Sequence, residues 1–230
     1  MLTKNTLNTV NILILCYFIV VLAEIVSHLF VIRPGVLVAK ISGPILLALV
    51  YRTSSVRANP FFYVLVILLL FTNILVFLNH QNFYALGMII SILQKVVMLF
   101  FVMRFTAKKY GVALLAALPF IFSFYYLTSI TDGFETVGGN SLFFESILVS
   151  FIGGIALAAY LKNDNRQHSW LMISALLFIG LQFVVFIEQY YFAFISFRLF
   201  SLITIVLCSF AFLAFYKFVN AAERNENLNL

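Results

Sequence analysis

The sequence predicts an all-α fold, a polytopic membrane helix bundle with eight transmembrane helices. Hydrophobic residues make up 64% of the 230 positions and charged residues only 10%, a composition that is hard to reconcile with a soluble protein. The apolar residues form continuous stretches close to the roughly 20 residues that a helix needs to cross about 30 Å of hydrocarbon. Lys and Arg residues fall on alternate connections between these stretches, which is typical of a chain that crosses a membrane several times.

The stretches are predicted to be helices, because a transmembrane β-barrel would show segments of about ten residues with alternating polar and apolar positions. The predicted spans cover residues 9–31, 35–51, 60–79, 83–104, 111–130, 141–161, 169–188 and 197–219. The connections between them are too short to hold a soluble domain. The prediction is therefore one transmembrane domain over residues 1–219, followed by a polar, frayed cytoplasmic tail over residues 220–230.

The individual spans are not equally well marked. The first is longer than the apolar part of a signal peptide and contains Glu24 and His28, so it is predicted to be retained. The second is short and holds Lys40 and the pair Gly43-Pro44, so a count of seven helices stays open. The other six are strongly apolar, and the eighth ends where the chain becomes polar.

The basic residues also predict the orientation, because Lys and Arg beside a span are retained in the cytoplasm. With the N-terminus inside, the inner segments hold Lys4, Arg52, Arg57, Arg104, Lys108, Lys109, Lys162, Arg166, Lys217 and Arg224. The outer connections hold only Arg33 and Arg198. This asymmetry places both ends in the cytoplasm, in what we expect to be a bacterial inner membrane, and it requires an even number of helices. It therefore favours eight over seven.

The formal net charge of +6 is explained by basic loops beside anionic headgroups, so membrane lipids are the expected partners. No nucleic acid partner is expected, because no module of basic and aromatic residues is present. Cys16 and Cys208 lie inside spans and are expected to be packed thiols. No cofactor or metal is expected, since His28 has no second helical histidine beside it and no nucleotide-binding motif is found. The oligomeric state is left open by the sequence.

Function is expected among the polar side chains inside the membrane, because each ionisable one costs about 2.5 to 3.5 kcal/mol to insert. With the predicted orientation most of them fall in the outer half of the bundle, which predicts a polar cavity there. In the structural alternative, Glu24 only neutralises Lys95 or Lys40, and the amides form interhelical hydrogen bonds. Glu145, Glu188 and Arg198 are expected to reach the interface. The candidates within the spans are Glu24, His28, Lys40, Asn73, Gln94, Lys95 and Gln182.

A weak internal similarity relates the two halves of the chain. When Asn73 is placed over Gln182, residues 75–79 (LVFLN) align with residues 184–188 (VVFIE), and Phe83 aligns with Phe192, without a gap. The alignment predicts a 4+4 parallel pseudo-repeat. Helices three and seven would then each carry one side-chain amide at the same depth.

Four segments resemble the YhhN, or lysoplasmalogenase, family of membrane proteins. Residues 70–78 (LFTNILVFL) and 83–87 (FYALG) resemble its apolar helix with Gly-Asp, short loop and Phe-x-x-Gly helix start. Residues 174–182 (SALLFIGLQ) are similar to its Gly-Ala-x-Leu-Phe-x-x-Ser-Asp segment, and residues 43–47 (GPILL) to its Lys-Pro-Leu segment. Chain length, helix number and motif order agree over most of the chain. The departures are Asn73 and Gln182 at the family's Asp positions, Gly43 at its Lys position, and Gln94 nearest to its helix-four His.

The resemblance implies an enzyme that hydrolyses the vinyl ether bond of a lysoplasmalogen-type lysophospholipid and releases a fatty aldehyde. It implies that Glu24 is the general acid, since an amide orients water but cannot give up a proton at neutral pH. Asn73 and Gln182 would position the lipid or the water. The residues expected to bind the substrate are Lys40, Gln94, Lys95 and His28. Two alternatives stay open, a protein that binds or transports a small amphiphile without breaking a bond, and a structural subunit of a larger complex.

Overall fold

The computed structural model describes residues 4–55, 58–78, 81–106, 110–131, 137–191 and 198–228. Within these ranges the chain forms eight α-helices, each long and apolar enough to span a membrane. They are α1 (Lys4–Leu29), α2 (Arg33–Ser54), α3 (Pro60–Leu78), α4 (Gln81–Phe105), α5 (Tyr110–Ser129), α6 (Val137–Lys162), α7 (Arg166–Tyr190) and α8 (Arg198–Leu228). The predicted fold class is confirmed, and the second span, which left a count of seven open, is a helix of 22 residues.

Some residues used in the sequence-based predictions lie outside the described part of the chain. They are Arg57, Lys108, Lys109 and Phe192, together with the side chains of Lys4 and Arg198. The cytoplasmic placement of both ends and the 4+4 repeat stay predictions.

Consecutive helices pack as hairpins, α1 with α2, α3 with α4, α5 with α6, and α7 with α8. Between the hairpins, α2 packs on α3, both α4 and α7 pack on α6, and α8 packs on α1 and α2. The α1–α2 turn lies at one end of the bundle, which we call the turn end. The first residues of α1 and the last residues of α8 lie at the opposite end, which we call the terminal end.

The second half of α8 is the most deeply buried part of the bundle. From residue 211 to residue 219 every residue except Lys217 is buried, and the ring of Phe212 meets that of Phe178 of α7 edge to face at 5.1 Å. Other helices expose apolar side chains, as α1 does at helical spacing with Ile12, Leu15, Ile19 and Leu22. Because lipid chains are as apolar as these side chains, the helices associate through close packing and interhelical hydrogen bonds.

The α5–α6 hairpin packs through small residues. An ideal Cβ atom on Gly154 of α6 would lie 2.3 Å from the carbonyl oxygen of Ala113 and 2.7 Å from the Cβ of Ala117, both on α5. No larger side chain fits at this position without separating the two helices. Gly154 therefore allows the two backbones to approach closely.

The C-terminal segment differs from the prediction of a frayed tail. Helix α8 continues to Leu228, and Asn220 and Glu223 are buried within the bundle. Tyr216, Asn220 and Glu223 are spaced by four and three residues, so they share one helix face. The polar composition that suggested disorder instead supplies internal hydrogen bonds.

Candidate functional site

An ion pair joins α1 to α2 in the half of the bundle nearer the turn end. The Lys40 ammonium lies 3.3 Å from a carboxylate oxygen of Glu24, and the two side chains are 26% and 12% exposed. Lys40 is one of the two partners, Lys95 or Lys40, that the structural alternative named for Glu24. The ion pair neutralises two charges that are costly to hold inside a membrane. Both charged groups also remain accessible to a neighbouring cavity.

Pro44 explains why Asn73 contacts the same part of α2. Proline has no amide hydrogen, so the Lys40 carbonyl, four residues earlier, loses its normal partner within the helix. The side-chain amide of Asn73 on α3 donates to this carbonyl at 3.1 Å. Helix α2 thus continues through the Gly43-Pro44 pair. The Lys40 carbonyl that Pro44 leaves unpaired accepts the hydrogen bond from Asn73.

A cavity of about 160 Å³, which we call the central cavity, lies between α1, α2, α3 and α8. Glu24, Lys40 and Asn73 all line it. Gly43 lines it as well, and a Cβ atom added there would meet nothing within 4 Å. Its remaining walls are mainly apolar, together with Tyr17, Thr204, Cys208 and Ser209. A small polar group that entered this cavity would meet an anion, a cation and an amide.

A wider space of about 350 Å³, which we call the vestibule, lies nearer the turn end. It shares Lys40, Thr204 and Ile205 with the central cavity, so the two spaces are adjacent. His28 and Arg33 line the vestibule but not the central cavity. In the described structure the buried Nδ1 atom of His28 has no hydrogen-bond partner.

Of the two described glutamates that were expected to reach the interface, the structure contradicts the prediction for Glu145 only, and for Glu188 it stays a prediction. Glu188 of α7 lines the vestibule, half-buried, and accepts hydrogen bonds from Ser201 and Thr204 of α8. Glu145 of α6 is only 7% exposed, so the prediction that it reaches the interface is wrong. Both side chains contribute to the polar interior of the bundle at this end.

Gln94 and Lys95 of α4 do not line the central cavity. Lys95 is 6% exposed, its ammonium lies 3.5 Å from the side-chain oxygen of Gln94, and it lies 5.3 Å from the centre of the Phe178 ring. Gln94 in turn donates to the carbonyl of Leu65 on α3 at 3.4 Å. Among the described residues no carboxylate lies within 4 Å of the Lys95 ammonium, so the aromatic ring and the amide stabilise it.

The Cys208 thiol lies close to both Lys95 and the Glu24–Lys40 ion pair. Lys95, Lys40 and Glu24 are all close enough to act electrostatically on this thiol, which lines the central cavity. Lys95 therefore adds positive charge near the cavity although it does not line it.

Gln182 of α7 is separate from both spaces. It is 3% exposed and donates to the carbonyl of Leu142 on α6 at 3.2 Å. Asn73 makes the corresponding contact in the first half of the chain, from the third helix to a carbonyl of the second. The two amides are alike in this respect, although they do not face one pocket.

The structure thus brings together part of the predicted site. Glu24, Lys40 and Asn73 meet at the central cavity, and His28 lies beside them in the vestibule. Gln94, Lys95 and Gln182 form buried contacts elsewhere, as described above. Arg33 and Thr204 could not be singled out for this site from the sequence, because an interfacial arginine and a helical threonine are common in membrane proteins.

A second polar cluster, at the terminal end, was missed. Glu223 accepts hydrogen bonds from the hydroxyls of Tyr51 and Ser55 of the α2 end, and Tyr216 donates to Ser54 at 2.8 Å. Asn220 donates to the Tyr216 hydroxyl at 3.4 Å. The spacing of residues 216, 220 and 223, which places them on one helix face, is the sequence signal from which this cluster could have been predicted.

Comparison with family models, curated proteins and solved structures finds no match to this chain.

Proposed function

We propose that this chain is a YhhN-like membrane protein whose vestibule and central cavity bind the headgroup of a single-chain amphiphile, such as a lysophospholipid. One observation carries the proposal: the Glu24–Lys40 ion pair and the Asn73 amide line one cavity that adjoins a wider, partly charged space. Ionisable groups inside a membrane usually mark a ligand or ion site. The resemblance to the YhhN family names the class of ligand.

The side chains around the two spaces fit a headgroup that carries both signs of charge. Arg33 and Lys40 are suited to a phosphate, while Glu24 and Glu188 are suited to an amine or hydroxyl. The volume of about 350 Å³ in the vestibule is within the range of pockets that hold small molecules. The single acyl chain of a lysolipid would remain among the apolar helix surfaces and the bilayer.

Filling the central cavity is the direct test of binding. Gly43→Leu places a branched apolar side chain where the structure has open space, so the protein is expected to fold and to bind lysophosphatidylethanolamine at least tenfold more weakly. Gly180→Leu is the matched control, because Gly180 also has open space around a Cβ atom but lines neither pocket. Binding to the purified protein in nanodiscs is measured by native mass spectrometry. Equal binding by both variants would remove the central cavity from the proposal.

Hydrolysis of a vinyl ether bond is the second candidate function. The observation that favours it is the position of Glu24, the carboxyl group that lines the central cavity beside Asn73. The reaction protonates the vinyl carbon, water then adds to the oxocarbenium ion, and the hemiacetal breaks down to an aldehyde and an alcohol. An anionic headgroup that took over Lys40 would release Glu24 from the ion pair. Glu24 would then be free to approach the vinyl carbon as the general acid.

Release of fatty aldehyde from a lysoplasmalogen tests this second candidate. Glu24→Gln is expected to abolish release, whereas Glu145→Gln, which changes a buried carboxyl outside both spaces, is expected to retain it. Unchanged release in Glu24→Gln would remove the acid role. Absence of release from the unmodified protein, together with saturable lysolipid binding, would reject hydrolysis and leave the binding proposal in place.

We infer further that both chain ends face the cytoplasm of a bacterial inner membrane. Of the described basic residues near helix ends, Arg52, Arg104, Lys162 and Arg224 lie at the terminal end, whereas Arg33 lies at the turn end. Lys and Arg near span ends favour the cytoplasmic side. Reporter fusions test the orientation: a C-terminal alkaline phosphatase is expected to be inactive and a C-terminal fluorescent protein to be bright.

A further inference from the structure

A cavity of about 510 Å³ opens at the terminal end, between the start of α1, the start of α7 and the last turns of α8. It is at the other end of the bundle from the vestibule and shares no lining residue with it. Three cationic side chains line it, Arg166, Lys217 and Arg224, and none of its lining residues is acidic. The described residues place no carboxylate within 4 Å of these three cationic groups.

Three uncompensated positive charges around one space favour an anionic ligand. They stand at a helix end, where the headgroups of anionic lipids lie, and the N-terminus of α7 adds its partial positive charge. Several amide side chains in the wall, including Asn11 and Asn225, carry neutral N–H groups that can donate hydrogen bonds to a phosphate oxygen.

Asn220 adds a second and independent requirement on the ligand. It lines the cavity, is only 9% exposed, and its side-chain oxygen has no hydrogen-bond partner in the described structure. The hydroxyl of Tyr216 donates to Ser54, so it accepts from the Asn220 nitrogen and cannot also serve the oxygen. This oxygen is itself buried, so the Asn220 side chain must turn toward the cavity to use it, and a ligand with a hydroxyl or amine donor would then satisfy it.

We propose that this cavity binds a hydroxyl-bearing phosphoester, with the phosphate among Arg166, Lys217 and Arg224 and a hydroxyl donating to Asn220. The same chemistry is found in an anionic lipid headgroup such as that of phosphatidylglycerol and in free glycerol 3-phosphate. The inference is independent of the proposed function at the turn end.

The chain contains a built-in reporter of this site. Trp170 is the single tryptophan of the sequence, it lines the cavity, and the Lys217 ammonium lies 4.3 Å from the centre of its ring. A phosphate that draws Lys217 away from the ring would change the fluorescence of Trp170. Titration of the purified full chain in detergent micelles therefore follows binding without a label.

Phosphatidylglycerol is expected to give a saturable fluorescence change with a midpoint at least tenfold lower than that of phosphatidylcholine. Arg166→Gln/Arg224→Gln keeps the Lys217–Trp170 contact and is expected to raise the midpoint at least tenfold. Arg52→Gln, which removes an exposed charge outside the cavity at the same end, is expected to leave it unchanged. Raising the salt concentration should weaken binding in the unmodified protein.

The donor requirement is tested with phosphatidylmethanol, which is anionic but has no headgroup hydroxyl. The unmodified protein is expected to prefer phosphatidylglycerol over it about fivefold, and Asn220→Leu is expected to lose this preference. Saturation by glycerol 3-phosphate at similar concentrations would identify a free phosphoester as the ligand, and its failure would identify the lipid. Equal midpoints for phosphatidylglycerol and phosphatidylcholine, or no fluorescence change with any of the probes, would overturn the proposal.

Discussion

The side-chain amide of Asn73 donates to the main-chain carbonyl of Lys40 at 3.1 Å, across the interface between α3 and α2. This carbonyl is available because Pro44 cannot donate the hydrogen bond that a normal helix would supply. Inside a membrane an unpaired carbonyl is unfavourable, because no water replaces the missing donor. The contact therefore stabilises α2 at the position from which Lys40 reaches Glu24.

Asn73→Ala is expected to lower the free energy of unfolding by about 1 to 2 kcal/mol, the cost of leaving the carbonyl unpaired. In a Pro44→Ala background, Asn73→Ala should lower the free energy of unfolding clearly less, because the amide hydrogen restored at residue 44 pairs with the Lys40 carbonyl. Unfolding of the purified protein by sodium dodecyl sulfate in mixed micelles measures both values. In a Pro119→Ala background, which removes the other mid-helix proline, the cost should be unchanged. Equal costs in all three backgrounds would contradict this account.

Glu24→Gln is expected to lower the free energy of unfolding by about 1 to 3 kcal/mol, because it leaves the Lys40 charge without a partner. The double variant Glu24→Gln/Lys40→Gln should lose less than the sum of the two single variants, since it removes both charges together. The same micelle unfolding measures the coupling. The pair Glu145→Gln and Lys40→Gln serves as the control and should be additive, because Glu145 lines neither space and no ion pair joins these residues in the described structure. Additivity of the Glu24 and Lys40 changes would mean that the ion pair does not stabilise the fold.

The fold could be predicted from the sequence because the spans are long and mainly apolar, and their length indicates helices across the bilayer. It was harder to predict which of the polar side chains line the same cavity. Glu24 and Lys40 meet because α1 and α2 form a hairpin, whereas Lys95 contacts Gln94 and the Phe178 ring and does not line the cavity. Hydropathy gives the depth of a residue but not the direction in which its side chain points. For that reason Gln182 could not be separated from the residues that line the cavity.

Gly154→Ala is expected to destabilise the protein by about 1 to 3 kcal/mol, because the added Cβ atom would overlap the backbone of α5 at Ala113. Gly180→Ala is the matched control. It lies within a helix with open space around the new Cβ atom, so it should be neutral or stabilise by roughly 0.5 to 1 kcal/mol. Thermal unfolding of the two variants, followed by circular dichroism, checks the difference. Equal melting temperatures would mean that α5 and α6 are not in close contact at Gly154.

The end of α8 gives the sharpest contrast between the sequence-based prediction and the structure. A frayed tail could be removed without effect, whereas a chain that stops after Val219 loses Glu223 and leaves the buried Tyr51 hydroxyl without its acceptor. Hydrogen bonds to a charged group contribute about 1.5 to 3 kcal/mol each, so this truncation is expected to lower the free energy of unfolding by about 2 to 4 kcal/mol.

A chain that stops after Glu226 is the control for this truncation, because it retains Glu223 and the hydrogen bond of Asn225 to Gln167. It should unfold like the full chain. Glu223→Ala removes the carboxylate alone and should reproduce most of the decrease in the free energy of unfolding. Glu226→Ala, a change at an exposed residue one turn later, should lower the free energy of unfolding little. Micelle unfolding of the four variants decides the matter. If the chain ending at Val219 were as stable as the full chain, the hydrogen bonds of Glu223 would contribute nothing to the stability of the fold.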